Sequence, residues 1–202
     1  MDPSGPFSGE NLNLSPVKTP TSIMASAAGN PPPTRDPTLQ ELQAAASEVV
    51  EILKTVPGIA GCRIAVNGGL ALWSNLPQGR NTKDVDFVIS LDTAPYAVKK
   101  TLLSLHPARF EQEAHVFYYQ LPNAPLIQVD MCPSWMLRYP PVFFPIINQI
   151  PAGVVSYISP TELLTYKIYS CGLRADNAKR GVDAVDALTL SQCITPARMP
   201  IW

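Results

Sequence analysis

Two aspartates stand close together in a short apolar segment, and their spacing could serve chemistry. Asp84 and Asp86 are two positions apart in the run DVDFVI, residues 84–89. Side chains at i and i+2 of a strand share one face, so both carboxylates should project together. Such carboxylates repel unless a cation neutralises them, and oxygen-only ligands favour Mg²⁺ or Mn²⁺ over zinc. The pair predicts a divalent-metal site, although an Asp-x-Asp pair taken alone is more often an ordinary surface feature.

A third carboxylate lies in the run LIQVDM, residues 126–131, where Asp130 interrupts apolar residues. An acid in the middle of a strand is costly unless it is paired or binds a metal. If this strand lies beside the strand of Asp84 and Asp86, three carboxylates converge. The alternative is a hydrogen-bonded aspartate on an edge strand.

The glycine pair Gly68-Gly69 follows a short apolar run and precedes a second one, LALWSNL. This order predicts a strand, a glycine turn and a short helix. Glycine allows backbone to approach a phosphate closely, and a helix N-terminus supplies free N–H donors. A phosphate cradle and a metal pair separated by one short helix are what nucleotidyl transfer requires.

The elements that must position these residues are predicted from periodicity and capping signals. TLQE at 38–41 and SPTE at 159–162 each have the form of a capping box that opens a helix. The sequence predicts an α+β fold, a mixed β-sheet flanked by helices with further helices at its C-terminal end. The predicted helices cover 38–56, 70–76, 96–105, 160–172 and 177–190, and the predicted strands cover 63–66, 84–89, 110–121 and 126–131.

Two proline-rich segments interrupt this pattern. Residues 1–37 contain eight prolines and eight Ser or Thr, which predicts a disordered tail followed by one domain at 38–202. Residues 133–151 contain five prolines and four aromatic residues. This second segment is predicted to be a packed loop whose aromatic side chains belong to the local core and do not stack on bases. These aromatic residues are Trp135, Tyr139, Phe143 and Phe144.

Composition excludes several classes of function. The 202 residues are 46% hydrophobic and 15% charged with a formal net charge of -1, which argues against a chain built to coat nucleic acid. No apolar run reaches the roughly 18–20 residues that span a bilayer, and the first residues do not resemble a signal peptide. The four cysteines form no CxxC pair, so reduced thiols and a cytoplasmic location are expected.

Taken together, these motifs resemble the nucleotidyltransferase superfamily of the DNA polymerase β type. The matching segments are NGGLAL at 67–72, RNTKDVDF at 80–87 and the later strand acid. The Arg-x-Thr-x-Asp-x-Asp form is similar to AbiEii-type nucleotidyltransferases, the toxins of type IV toxin–antitoxin systems. The C-terminal part agrees, because SPTELL leads to Lys167 and then to Asp183-x-x-Asp186. Leu70 departs from the pattern, since many members have Ser or Thr at that position.

The resemblance implies a metal-dependent enzyme that moves an NMP from an NTP to a hydroxyl acceptor, with RNA or the tRNA 3′ end as a suggested acceptor. The alternative is a nucleotide-binding or regulatory protein that keeps the fold without turnover; an antibiotic-modifying transferase is a third possibility. The implied roles are phosphate binding by Gly68 and Gly69, binding of Mg²⁺ or Mn²⁺ by Asp84, Asp86 and Asp130, triphosphate contact by Lys167, and nucleotide binding at Asp183.

Overall fold

The computed structural model describes residues 35–76, 80–93 and 95–194. The prediction of a disordered tail therefore falls, for residues 1–34, outside the described residues. The helices are α1 (Leu39–Thr55), α2 (Gly68–Asn75), α3 (Tyr96–Leu105), α4 (Pro160–Leu173) and α5 (Asn177–Cys193). The strands are β1 (Ile64–Asn67), β2 (Asp84–Ile89), β3 (Phe110–Glu113), β4 (Val116–Gln120) and β5 (Leu126–Pro133).

The five strands form one mixed sheet in the order β1-β2-β5-β4-β3. β2 runs parallel to β5, and the other neighbouring strands are antiparallel. After β2 the chain passes through α3 to β3 at the far edge of the sheet, and β4 and β5 then follow inward until β5 lies beside β2. The predicted α+β class and mixed sheet are confirmed, and the two acidic strands are direct neighbours.

Both predicted capping boxes are present and begin α1 and α4. Thr38 and Glu41 exchange the two hydrogen bonds of the motif at α1, and Ser159 and Glu162 do so at α4. The apolar face of α1 is buried against the sheet, with Leu42 and Leu53 completely covered. No helix of the described part of the chain is long and apolar enough to cross a membrane.

The single strand predicted for 110–121 is wrong, because the structure divides it into β3 and β4. Residues Ala114 and His115 form the turn, and Ala114 takes the left-handed conformation with φ of 51°. Because the antiparallel pairing brings Phe110 opposite Tyr119, the two halves of the apolar run bury each other on one face. Pattern alone shows no Gly or Pro at this turn, which is why the hairpin escaped prediction.

Three of the four aromatic residues of the proline-rich loop are exposed, so the prediction that they belong to the local core is wrong for Trp135, Tyr139 and Phe143 and confirmed for Phe144. Phe143 is 85% exposed and Trp135 is 62% exposed, whereas Phe144 is 6% exposed. The loop is fixed to α4 through its backbone: the Tyr166 hydroxyl donates to the Tyr139 carbonyl, and Glu162 accepts from an amide of the loop. Backbone anchoring of this kind leaves the aromatic side chains free to face outward.

Candidate active site

Three polar residues lie in a row across the first three strands of the sheet. Asn67 of β1 is paired with Asp86 of β2, and Asp86 is in turn paired with Asp130 of β5. Directly paired residues of neighbouring strands project from the same face, so these three side chains share one face. Asp84 lies two residues before Asp86 on that face, opposite Gln128. We call Asn67, Asp86 and Asp130 the acidic row.

The acidic row opens into a cleft of about 190 Å³ between the sheet and the C-terminal helices. Gly68 lines the cleft at the start of α2, and α4 contributes residues to its opposite side. Five of the seven predicted site residues therefore line one cleft, and they come from two strands and three helices. Gly69 and Asp84 are not among the residues that line it. The cleft is lined by the acidic row together with Gly68, Lys167 and Asp183, among others.

Asp86 occupies the least favourable position for a charge in this row. Its burial raises the pKa of the carboxyl to about 6, and the neighbouring charges of Asp84 and Asp130 act in the same direction. The positive charge of Lys167 and a hydrogen bond from the Gly69 amide lower the pKa, but they do not outweigh burial. A bound cation would favour the ionised form of this carboxyl.

The glycine pair is required by close packing against the acidic strand. Gly68 has φ of +63°, in the left-handed region, and a Cβ built on it would lie 2.8 Å from Cγ of Asp86. A Cβ on Gly69 would lie 2.7 Å from Cβ of Thr82. Because neither position has room for a side chain, the backbone at the start of α2 lies directly against the two residues that carry or hold the carboxylates.

The carboxylates of Asp84 and Asp130 accept hydrogen bonds from neighbouring side chains. The Thr82 hydroxyl donates to Asp84. Asp130 accepts from Lys99 at 3.3 Å and from Gln128 at 2.7 Å. In the described residues, no three His, Cys, Asp or Glu side chains are gathered closely enough to hold an ion. The oxygen donors nevertheless fit a hard divalent cation by type, charge and shared face, because three carboxylates repel one another around the buried Asp86.

A second charged cluster joins α4 to α5 on the helical side of the cleft. The Lys167 ammonium lies 3.0 Å from Asp183 and 2.8 Å from Asp186, and it is only 8% exposed. Asp183 also accepts from Arg174, and Asp186 also accepts from Arg80 at 3.0 Å. Three cations around two buried carboxylates leave one net positive charge beside the cleft.

Asp183 is engaged on both oxygens by this cluster. Burial by itself would raise the pKa of its carboxyl, but hydrogen bonds from Arg174 and Lys167 outweigh burial and hold the pKa below its ordinary range. Its contacts support a role in positioning Lys167. The expected direct contact of Asp183 with a nucleotide therefore stays a prediction.

Comparison with solved structures shows what this architecture resembles. An antigenic nucleotidyltransferase-like protein from Paracoccidioides brasiliensis matches with a TM-score of 0.55 and 24% identity, over 78% of this chain and 78% of that chain. The fold is that of the nucleotidyltransferases. The narrower resemblance to AbiEii-type toxins stays a prediction.

Two further matches are weaker. The Megavirus polyadenylate synthase has a TM-score of 0.43 and 11% identity over 81% of this chain and 36% of that chain. The antibiotic-resistance factor ANT(2'')-Ia has a TM-score of 0.36 and 14% identity over 79% of this chain and 87% of that chain. No protein-family model and no curated protein matches the sequence. The fold assignment rests on the match to the Paracoccidioides brasiliensis protein, and activity has to be argued from the site.

Sequence reasoning missed several residues that shape the site. The sequence patterns give no role to Asn67, which precedes the glycine pair, or to Lys99 of α3, which is paired with Asp130. Arg80 and Thr82 belong to the motif RNTKDVDF, which predicts no function for them. The structure pairs Arg80 with the Asp186 carboxylate of α5 and Thr82 with Asp84. The spacing Arg-x-Thr-x-Asp was the signal that could have indicated these contacts.

Proposed function

We propose that this protein is a metal-dependent nucleotidyltransferase that moves an NMP from an NTP to a hydroxyl acceptor. The observation that carries the proposal is the placement of the carboxylates of Asp86 and Asp130 on adjacent strands of a nucleotidyltransferase fold. At the start of α2, Gly68 packs against the Asp86 carboxylate, and Gly69 packs against Thr82, which donates to Asp84. Phosphate binding and carboxylate chemistry therefore fall within one cleft.

The triphosphate is expected to bind between α2 and α4. Backbone N–H groups in the first turn of α2 have no partner within the helix, and the helix dipole favours an anion there. Lys167 supplies positive charge from the facing side of the cleft. An ammonium has three N–H donors, and two of those of Lys167 are directed at Asp183 and Asp186. One donor remains for a phosphate oxygen.

Asp84, Asp86 and Asp130 would be the residues that hold the cation, and their oxygen ligands favour Mg²⁺ or Mn²⁺. When bound, the cation neutralises triphosphate charge and lowers the pKa of the attacking hydroxyl. Asp130 lies at the open end of the row, with 44% of its side chain exposed. This carboxylate is accessible to an acceptor entering from solvent.

The reaction balances in one displacement. The acceptor oxygen forms a bond to the α-phosphorus, and the bond from that phosphorus to the oxygen bridging the β-phosphate breaks. Pyrophosphate leaves with the electron pair of the broken bond. A carboxylate oxygen of Asp130 takes the proton of the acceptor hydroxyl. No other reactant is needed.

We propose RNA as the acceptor, as the AbiEii resemblance suggests. The support from this chain is the exposed aromatic loop, whose Tyr139 is 54% exposed and packs edge-on against Tyr169 of α4 at 5.9 Å between ring centroids. The loop is anchored to Tyr166, which lines the cleft. Aromatic side chains of this kind stack on unpaired bases with little dependence on sequence.

The second candidate function is nucleotide binding without turnover. It is favoured by the hydrogen bonds that hold Asp84 to Thr82 and Asp130 to Lys99, because these contacts keep the carboxylates from a common ligand position. Under this alternative, an NTP binds in the cleft and stays intact.

The deciding experiment incubates the protein with each of the four labelled NTPs and total RNA, with and without Mg²⁺. We expect pyrophosphate release and labelled RNA with Mg²⁺, and loss of both in Asp86→Asn. Asp92→Asn makes the same chemical change at an exposed loop position and should behave as the original protein. NTP binding with no pyrophosphate release would establish the non-catalytic alternative. Equal transfer by Asp86→Asn would refute the metal-site assignment.

A further inference from the structure

The side-chain oxygen of Asn67 is buried without a hydrogen bond. Across residues 35–76, 80–93 and 95–194, Oδ1 of Asn67 is the one buried side-chain nitrogen or oxygen that has no partner. Buried polar atoms in folded proteins are almost always paired, because an unpaired one has lost its water without replacement. This oxygen is therefore placed to receive a ligand atom.

A helix-capping role does not account for the residue. Asn67 is the N-cap of α2, and asparagine at that position usually accepts a hydrogen bond from an amide of the first turn. The side chain makes no such bond here. The Gly69 amide, which an N-cap side chain could have reached, instead donates to Asp86. The Asn67 oxygen is thus left free beside the carboxylate.

Its direction is set by the sheet. Asn67 stands opposite Asp86, which stands opposite Asp130, so the amide oxygen continues the line of carboxylates on the same face. All three residues line the same cleft. The acceptor oxygens of these three residues need a cation or a hydrogen-bond donor as their partner. Neither neighbouring lysine bonds to the Asn67 oxygen, because Lys99 is paired with Asp130 and Lys167 with Asp183 and Asp186.

We propose that Oδ1 of Asn67 is a further ligand of the divalent cation that Asp86 and Asp130 bind. This inference rests on the function proposed above. A neutral amide oxygen is a normal ligand of hard divalent cations. It provides the cation with a further oxygen ligand without adding to the repulsion among Asp84, Asp86 and Asp130.

The test measures Mn²⁺ binding by the full chain, without nucleotide, from the electron paramagnetic resonance signal of the free ion. Asn67→Leu keeps the approximate shape and removes the oxygen; we expect at least a roughly tenfold loss of Mn²⁺ affinity, the scale typical of residues around metal sites. Asn67→Asp restores an oxygen with a full charge, so it should bind Mn²⁺ at least as tightly as the original protein. Its melting temperature without metal should fall, and Mn²⁺ should raise that temperature more than in the original protein.

Asn75→Asp is the matched control for Asn67→Asp, because it makes the same chemical change at the other end of α2. There the Asn75 amide donates to the Ala71 carbonyl. It should leave Mn²⁺ affinity unchanged. If the original protein binds Mn²⁺ and Asn67→Leu binds it equally well, the ligand role of Asn67 is refuted while the proposed function stands. If Asn67→Leu loses affinity only for nucleotide, Oδ1 accepts from the nucleotide and the proposal is again wrong. If the original protein binds no Mn²⁺, the metal site and this inference both fail.

Discussion

Replacing Gly68 with alanine tests the packing on which the whole site depends. Gly68 combines a left-handed backbone, with φ of +63°, and a Cβ position 2.8 Å from Cγ of Asp86. An L-residue in the left-handed region costs roughly 1–2 kcal/mol. Forcing the Asp86 side chain from its rotamer costs about 0.5–1.5 kcal/mol more. The free energy of unfolding should therefore fall by about 1.5–3.5 kcal/mol.

The assay is urea unfolding at neutral pH, supported by the melting temperature. For a chain of this size, about 1.5–3.5 kcal/mol corresponds to a decrease of roughly 3–14 °C in melting temperature. Because the alanine methyl group displaces the Asp86 carboxylate, Mn²⁺ binding should fall at the same time. The combined loss distinguishes damage at the acidic row from general destabilisation.

Other glycines separate the two causes. Gly58 has φ of +80° with nothing within 4 Å of its Cβ position, so Gly58→Ala carries the backbone strain alone. It should cost roughly 1–2 kcal/mol and leave Mn²⁺ affinity unchanged. Gly69→Ala has an ordinary φ but meets Thr82, so it carries the collision alone. If Gly68→Ala is no less stable than Gly58→Ala and binds Mn²⁺ normally, the close packing of Gly68 on Asp86 is refuted.

Three further predictions follow from charges around the cleft. The pKa of Asp86 is raised from 3.8 to about 6, so the contribution of this carboxyl to stability is fully present below about pH 4 and is lost as the pH rises through about 6. Above pH 6, Asp86→Asn should therefore have a free energy of unfolding up to about 3 kcal/mol higher than that of the original protein, and near pH 4 the two should be equal. Urea unfolding across this pH range checks the difference. Lys167→Met removes a cation shared by two buried carboxylates. It should lower the free energy of unfolding by about 3 kcal/mol in urea at neutral pH, and by less in acid. An unchanged free energy of unfolding would mean that these carboxylates are not buried with Lys167 in solution. Lys99→Met removes the ammonium from Asp130 and should raise Mn²⁺ affinity several-fold in a titration, whereas the exposed Lys100→Met on the same helix should not.

Much of the fold follows from local sequence signals. The capping boxes at Thr38 and Ser159 predicted the starts of α1 and α4, and both are present. Capping depends on residues three positions apart, so it can be read without knowledge of the rest of the chain. The run around Asp84 and Asp86 likewise forms β2 as predicted. The hairpin at Ala114 escaped because a non-glycine residue takes the left-handed turn conformation there.

The candidate site was predictable only in part. The spacing of Asp84 and Asp86 is a property of one strand, and the glycine pair is contiguous with the helix that it begins. Their joint pattern was sufficient to indicate the nucleotidyltransferase fold, which the structure confirms. Periodicity could place Asp130 on a strand, but it could not state which strand lies next to it.

The sequence by itself thus determined the helices, most of the strands and the residue types that can bind phosphate and metal. Tertiary structure alone decided that β5 lies beside β2, which places Asp130 next to Asp86. It also decided that Lys167 is buried between two carboxylates of α5 and that the Asn67 oxygen lacks a partner. These outcomes depend on burial and on pairing between distant segments, because the pKa of a carboxyl and the partner of a lysine are set by whatever the folded chain brings within a few ångströms.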